Sequence, residues 1–427
     1  MNKLPKYTAY KDSGAEWLGD IPEHWEAVSL GSIMELKSDK NHPDYEVLSV
    51  YREYGVIKKD SRDDNHNATS LDTSNYKAVE PGDLVVNKMK AWQGSMGISA
   101  YKGIVSPAYI TCKVNAVKIH PEYLHQLLRS NLYIGEYNRL SYGVRVGQWD
   151  MHYEDFKHIT TTIPPIEEQI TIASFLNNKT IHIESAIGIK EKQIELLKER
   201  RQLLIHQAVT RGLNPDAKLK DSGVEWIGEI PEHWEVKKVK YILKERNERS
   251  ASGVEPLLMM SQIHGLVVRA DYHDKAEVAQ SNEGNKIVYK NDLVFNKLKA
   301  HLGVFFKSNI ELKGIVSPDY AVYYSNGIIN DLKYLELLFR NPEYIREFIC
   351  RATGIVEGLI RLYTSDLFDI PVAVPPINEQ TEILDYLDIA NQKISTAISF
   401  KDKEIEKLKE YKASLIDSAV MGKIKIN

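Results

Sequence analysis

Two short segments of the sequence bring lysines and side-chain amides to the end of a predicted strand. They read NKMKAWQ over residues 87–93 and NKLKAH over residues 296–301. Lysine is suited to contact with phosphate, and asparagine and glutamine to paired hydrogen bonds with adenine. The alternative is an ordinary solvated strand end. The pattern N-K-x-K-A persists while its neighbours diverge, which favours a backbone contact shared by both segments. The candidates are Asn87, Lys88, Lys90, Trp92, Asn296, Lys297, Lys299 and His301.

Candidates for reading bases lie in stretches that differ between the two halves of the chain. Glycines such as Gly143 and Gly147 flank one of these stretches, and they allow a loop to bring side chains close to a groove. In the first half the candidates are Tyr51, Arg52, Lys58, Lys59, Arg62, Arg145, Gln148 and Trp149. In the second half they are Gln262, His264, Arg269, Arg361 and Tyr363.

The usual signatures of a catalyst are absent from the sequence. It contains no G-x-x-x-x-G-K-[ST] loop and no H-E-x-x-H metal motif. The Pro-Pro pairs at 164–165 and 375–376 lack the flanking residues of an adenine-methylating Asn-Pro-Pro-aromatic motif. Asp83 and Asp292 follow turn residues, where aspartate commonly satisfies loop amides, and His24 and His233 are expected to pack beside tryptophans. We predict no catalytic, cofactor-binding or metal-binding residue in this chain.

The two halves are tandem copies of one unit. Residues 11–26 read KDSGAEWLGDIPEHWE and residues 220–235 read KDSGVEWIGEIPEHWE. The register persists at G-I-V-S-P (103–107 and 314–318) and at P-P-I-x-E-Q (164–169 and 375–380). Residues 36–78 share little with 244–286, and 129–155 share little with 340–366. One architecture therefore carries two different surfaces.

Each copy opens with predicted strands and continues into helix. Turn signals bound strands at Tyr45–Val50, Asp83–Asn87 and Ala108–Val114, and helices are predicted at His120–Leu128 and Asn330–Phe339. This mixture predicts an α+β domain in each copy.

Each copy is predicted to end in a long helix with a narrow apolar seam. Steps of three, four and seven residues describe heptads, which favour pairing of the two helices over packing of each helix on its own domain alone. The first helix is expected from about Ile172 to Thr210. The seam residues are Ile183, Ile187, Ile194, Leu197, Leu204, Ile394, Ile398, Ile405, Leu408 and Leu415.

Composition sets broad limits on the protein. The 427 residues contain 55 Lys and Arg against 59 Asp and Glu, which gives a formal net charge of -4. This charge does not by itself indicate nucleic-acid binding. A DNA-binding chain of this kind must concentrate its cations locally or have partners that supply phosphate contacts. Two distant cysteines indicate neither a disulfide framework nor a zinc site. No apolar run is long enough to span a bilayer, so a cytoplasmic protein is expected.

Taken together, the repeated entry motif, G-I-V-S-P, P-P-I-x-E-Q and the Ala-Val pairs at 208–209 and 419–420 resemble the specificity subunits of type I restriction-modification enzymes over nearly the whole chain. The resemblance implies an α+β fold with a pseudo-two-fold internal repeat. Two tandem target recognition domains, 1–165 and 216–375, would be joined by long antiparallel helices, 166–215 and 376–427, that form a coiled-coil spacer.

The resemblance also implies a function. Each copy would read one half of a split, asymmetric double-stranded DNA target while the helices set the gap. Two modification subunits would methylate adenine with S-adenosylmethionine, and two restriction subunits would cleave DNA using ATP and Mg. The chain itself would be non-catalytic. A DNA-reading subunit of a different restriction or methyltransferase architecture, and a coiled-coil scaffold without a DNA role, are the alternatives.

Overall fold

The computed structural model describes residues 4–61, 69–70, 72–143, 149–261, 264–272, 282–311, 313–353 and 361–426. The chain divides into two compact units: Met1–Glu191 with Lys401–Asn427, and Lys192–Phe400. Each unit thus contains one recognition-domain copy and part of both long helices. The sequence instead predicts the long helices, 166–215 and 376–427, as segments separate from the two domains, and that division stays a prediction.

The first copy is a mixed α+β domain whose strands are short. Its strands are β1 (Tyr10–Asp12), β2 (Asp20–Pro22), β3 (Glu26–Ser29), β4 (Met34–Lys37), β5 (Leu48–Tyr51), β6 (Gly55–Lys58), β7 (Lys77–Val79), β8 (Leu84–Asn87), β9 (Met96–Ile98), β10 (Gly103–Val105), β11 (Tyr109–Val114) and β12 (Thr160–Ile163). Its helices are α1 (Pro121–Leu128), α2 (Asn131–Leu140), α3 (Tyr153–Phe156) and α4 (Ile166–Arg211).

A four-stranded antiparallel sheet in the order β4-β11-β8-β9 forms the centre of this copy. The hairpin β5-β6 and the pairs β7-β10 and β3-β12 surround it. Trp25, Tyr123 and Phe156 are fully buried in the main apolar cluster. The predicted strand Tyr45–Val50 begins three residues later, at Leu48, while the other two predicted strands shift by a single residue.

The second copy repeats this arrangement. Its strands are β13 (Leu219–Asp221), β14 (Glu229–Pro231), β15 (Glu235–Lys238), β16 (Leu243–Glu245), β17 (Leu258–Ser261), β18 (Gly265–Val268), β19 (Lys286–Val288), β20 (Leu293–Asn296), β21 (Phe305–Lys307), β22 (Gly314–Val316), β23 (Tyr320–Ser325) and β24 (Pro371–Val374). Its helices are α5 (Lys333–Leu338), α6 (Pro342–Arg351), α7 (Thr364–Phe368) and α8 (Ile377–Val420). The sheet order β16-β23-β20-β21 matches β4-β11-β8-β9 strand for strand.

The long helices begin directly after the Pro-Pro pairs. Helix α4 has 46 residues, about 69 Å at 1.5 Å per residue, and α8 has 44. The predicted start near Ile172 was six residues late, because the carbonyl of Pro165 already accepts hydrogen bonds from the amides of Glu168 and Gln169.

Within each unit, α4 and α8 run antiparallel. In the first unit Lys190 pairs with Glu404 at 2.8 Å and Glu184 with Lys412 at 2.6 Å. In the second, the Arg201 guanidinium donates to the Ser395 hydroxyl at 2.8 Å. The seam residues Ile183, Ile194, Ile394, Ile405 and Leu415 are buried. Five further seam residues are partly buried: Ile187, Leu197, Leu204, Ile398 and Leu408.

The glutamine of each P-P-I-x-E-Q motif anchors the long helix to its domain. Gln169 is fully buried; its side chain accepts from the His120 amide at 2.6 Å and donates to the Pro164 carbonyl at 2.8 Å. Gln380 makes the equivalent bonds to the Asn330 amide and the Pro375 carbonyl. The repeated sequence is thus explained by a repeated anchor.

Replacing Gln169 with alanine is expected to reduce the free energy of unfolding by about 2–4 kcal/mol, because buried backbone groups lose their partners. Gln380→Ala should cost a similar amount in the second copy. Urea unfolding followed by circular dichroism measures both. Gln202, which is exposed on α4, is the control, and a Gln202→Ala change as costly as Gln169→Ala would contradict the anchor.

Candidate nucleic-acid interface

The N-K-x-K-A segments fold into the same turn in both copies. A 3₁₀ turn, Lys88–Gln93, follows β8, and a corresponding turn, Lys297–Leu302, follows β20. Gly94 and Gly303 come directly after these turns with φ of 82° and 60°, a left-handed conformation that favours glycine. The turn therefore presents its side chains at a fixed place beyond the sheet.

The asparagines of these segments are largely buried at the start of the turn and present little surface for contact with DNA. Asn87 and Asn296 are only 9% exposed. The Asn296 side-chain oxygen accepts a hydrogen bond from the Leu298 amide at 3.0 Å. Their burial fits a structural role better than paired hydrogen bonds to adenine. Lys90 and Lys299 are exposed, and no ion pair involves either within the described part of the chain.

The turn holds the end of a divergent loop in both copies. The Lys88 carbonyl accepts from the Met151 amide at 3.0 Å, and the Lys297 carbonyl accepts from the Leu362 amide at 3.1 Å. The segment that the copies share and the segment that differs are therefore brought together by the same backbone contact, although more than 60 residues separate them.

Around this contact the side chains of the first copy form an aromatic and charged patch. The Trp92 and Trp149 rings lie edge to face with centroids 5.1 Å apart. The Lys88 ammonium is 3.0 Å from the Asp150 carboxylate. The structure thus groups three predicted residues, Lys88, Trp92 and Trp149, on one surface. Aromatic rings beside cations are typical of nucleic-acid contacts.

The second copy has different side chains at the same place. The Arg361 guanidinium donates to Asp319 at 2.9 Å and lies 5.8 Å from the centroid of the Tyr363 ring. Lys297 is 3.8 Å from Glu245. His301 is partly buried in the turn. The grouping of Lys297, Arg361 and Tyr363 corresponds to that of the first copy, with more internal ion pairs.

Four other predicted residues of the first copy lie on the hairpin β5-β6 or directly after it. Its β5 strand is joined to the turn region through Ser95, whose hydroxyl donates to the Val50 carbonyl and whose amide donates to the Lys90 carbonyl, each at 3.2 Å. The predicted residues of this hairpin region are Tyr51, Arg52, Lys58 and Lys59. Of these, Arg52 and Lys58 are exposed. Lys58 is bound to Glu46 at 2.8 Å.

A partly buried histidine and arginine support this hairpin. His125 contacts the Arg129 guanidinium at 2.7 Å, and Arg129 also donates to the carbonyl of Arg52. Burial, followed by the nearby Arg129 charge, lowers the pKa of His125 to about 3, so the imidazole stays neutral. The backbone that carries Arg52 is therefore held in place by the Arg129 side chain.

In the second copy, His264 and Arg269 flank the β18 strand of the corresponding hairpin. The His264 ring lies 4.9 Å from that of Tyr272, and the Arg269 amide donates to the Leu257 carbonyl. Arg62, Arg145, Gln148 and Gln262, also predicted to contact DNA, lie outside the described residues.

Sequence reasoning missed several charged residues around the turn. They are Lys77 and Lys286, which flank the turn lysines, and the carboxylates Asp150, Glu245 and Asp319. The two lysines occupy equivalent positions 209 residues apart, within stretches otherwise dissimilar. A lysine shared by both copies within otherwise dissimilar stretches was the sequence signal that could have identified them.

Asp83 and Asp292 have the structural use predicted for them. Asp83 accepts from the Glu80 amide at 2.9 Å and from Lys37 at 2.6 Å, and Asp292 accepts from the Tyr289 amide and from Arg246, both at 2.8 Å. In the described ranges no three His, Cys, Asp or Glu side chains group as metal ligands. Among those residues, no helix combines the length and apolar character needed to cross a membrane.

Comparison with known proteins agrees with this architecture. A family model described as the type I restriction modification DNA specificity domain matches residues 22–198. A Methanocaldococcus jannaschii protein assigned as the MjaX type I restriction enzyme specificity subunit is 25% identical, over 96% of each chain. Over nearly its whole length, the chain is similar to the specificity subunits of type I restriction-modification enzymes. The sequence resemblance is thereby confirmed.

Further similar proteins span most of the chain. The Escherichia coli EcoKI specificity subunit is 22% identical over 89% of this chain and 86% of its own. A chain from a solved type I restriction-modification assembly has a TM-score of 0.67, with 15% identity over 94% of this chain and 98% of that one. The HsdS subunit from Thermoanaerobacter tengcongensis has a TM-score of 0.55 at 16% identity, covering 95% and 98%. These structures show the shared fold, two α+β domains joined by long helices.

Proposed function

We propose that this specificity subunit reads a split, asymmetric DNA sequence for a type I restriction-modification complex, with one half-site assigned to each copy. The observation that carries the proposal is the repeated contact between the N-K-x-K-A turn and a divergent loop, Lys88 to Met151 and Lys297 to Leu362. A constant frame with different side chains at its edge suits two readers of different sequence, because phosphate contacts position a protein and base contacts specify the site.

The long helices would set the gap between the half-sites. Each is continuous over more than 40 residues, and each unit contains an antiparallel pairing of α4 with α8. A stiff connection of this kind fixes the separation of two readers better than a flexible linker does. The gap in the target would then be constant.

Modification and restriction subunits would act as the catalysts. In this proposal two modification subunits methylate adenine with S-adenosylmethionine, and two restriction subunits cleave DNA using ATP and Mg, directed by this non-catalytic chain. Helix α4 carries apolar side chains that are more than half exposed, at spacings of seven or eight residues: Ile181, Ile189, Leu196 and Leu203. Such a stripe supports docking of a partner helix.

Co-expression with the neighbouring methyltransferase, followed by genome-wide mapping of methylated adenines, tests the proposal. We expect a split motif with two unrelated halves and a fixed gap. Exchanging residues 36–160 for those of another family member should change one half and leave the other unaltered. Methylation at one continuous site, or a change in both halves after the exchange, would contradict one reader per copy.

A further inference from the structure

A second lysine lies close to the turn lysine in each copy. Lys77 in β7 stands opposite Val105, and Lys286 in β19 stands opposite Val316, so the two lysines are equivalent by strand register. Burial lowers the pKa of Lys77, and the neighbouring cations Lys40 and Lys88 lower it further. Burial and then Lys286 do the same to the pKa of Lys297. Two cations so close together favour an anion between them.

The second copy supplies that anion from its own chain. The Glu245 carboxylate is 3.1 Å from the Lys286 ammonium and 3.8 Å from the Lys297 ammonium. The Lys286 side chain is only 5% exposed, and a buried cation of this kind requires a partner. Glu245 therefore balances the buried Lys286 charge internally and also lies within ion-pair distance of Lys297.

The first copy has leucine where the second has this carboxylate. Leu36 stands opposite Cys112 in the β4-β11 pair, as Glu245 stands opposite Tyr323 in β16-β23. Leu36 is 54% exposed. The Lys77 ammonium donates to the Tyr109 carbonyl at 2.5 Å, and within the described residues no carboxylate lies at ion-pair distance from it. Lys88 has Asp150 as its partner at 3.0 Å.

We propose that Lys77, beside the Lys88–Asp150 ion pair, forms an open phosphate site in the first copy, whereas Glu245 fills the equivalent site of the second copy as a built-in anion. This inference rests on the proposed function, since the phosphate would come from the DNA backbone. A partly buried ammonium with only a carbonyl partner gains a charge-assisted hydrogen bond when phosphate arrives. The two readers thus hold the backbone unequally, and the first provides more of the salt-dependent affinity.

The test exchanges the residues that distinguish the copies. Binding of the assembled methyltransferase to a fluorescent mixed-sequence duplex is measured by anisotropy across a range of salt concentrations. Leu36→Glu should lower the magnitude of the slope of log K against log salt by about 0.9 and weaken binding roughly eightfold at about 0.1 M salt, because one phosphate contact is lost. Glu245→Gln should raise the slope by about the same amount.

Leu36→Gln is the matched control and should leave the slope unchanged, since it adds polarity without charge. If Leu36→Glu prevents folding, Lys77→Gln provides the same test and should also lower the slope by about 0.9. Equal slopes for wild type, Lys77→Gln and Glu245→Gln would overturn the inference while leaving DNA reading intact. Absence of any salt-dependent binding by the wild-type complex would instead refute the proposed function.

Discussion

Replacing Lys88 and Lys90 together with glutamine is expected to weaken binding of duplex DNA by the assembled complex roughly 60-fold at about 0.1 M salt, because two phosphate contacts are lost at about 0.9 decades each. Both lysines belong to the turn after β8, and Lys90 is exposed. Neutralising Lys88 also leaves the Asp150 carboxylate without its partner at 3.0 Å. Anisotropy titration of a mixed-sequence duplex measures the loss.

The control for this double change is Lys198, an exposed lysine on α4. Lys198→Gln changes the net charge without touching the turn, so it should alter the affinity less than twofold (about 0.4 kcal/mol). The assignment of the turn to backbone contact would be wrong if the double variant bound DNA as tightly as the control.

Replacing Trp25 with alanine is expected to lower the free energy of unfolding by about 3–5 kcal/mol, the usual cost of removing a large aromatic side chain from a core. Trp25 is fully buried, and its indole N–H donates to Glu168 at 3.2 Å. Glu168 lies in the first turn of α4 and also bonds His24 at 2.8 Å. The change therefore creates a cavity and loosens the link between the repeated entry motif and the helix.

Trp25→Phe keeps a buried aromatic ring but loses the indole N–H and part of the ring volume, so it should cost less than alanine, about 1–3 kcal/mol. The equivalent Trp234, which donates to Glu379 at 3.0 Å, should give the same pair of values in the second copy. Urea unfolding monitored by circular dichroism measures them. An alanine variant no less stable than the phenylalanine variant would contradict this role of the indole.

The histidines of the entry motifs show how a sequence prediction can be close and still incomplete. Packing beside the tryptophans was expected for His24 and His233. Both side chains are about half exposed and bond the glutamate that also receives the indole N–H, at 2.8 Å and 2.7 Å. The P-E-H-W and P-P-I-x-E-Q motifs are therefore two parts of one contact, although the bonded residues are more than 140 positions apart in the sequence.

The sequence by itself determined the duplication, the α+β character of each copy, and two long helices with an apolar seam. These follow from local signals: near-identity at a fixed offset, turn residues beside alternating strands, and heptad spacing. It also determined which segments stay constant and which differ, and hence where to look for shared and individual contacts with DNA.

Only the tertiary structure decided which side chains meet. That Met151 binds the Lys88 carbonyl and that Glu245 neutralises Lys286 depends on strand register and loop path over long separations. Burial of Asn87 and Asn296 was equally hidden, because the pattern of a strand end does not reveal how the following turn covers it. Periodicity in the sequence shows which face of an element is apolar, whereas ion pairs between elements depend on how the elements pack. The role of Leu36 could therefore be inferred only by comparing it with Glu245, its structural equivalent in the second copy.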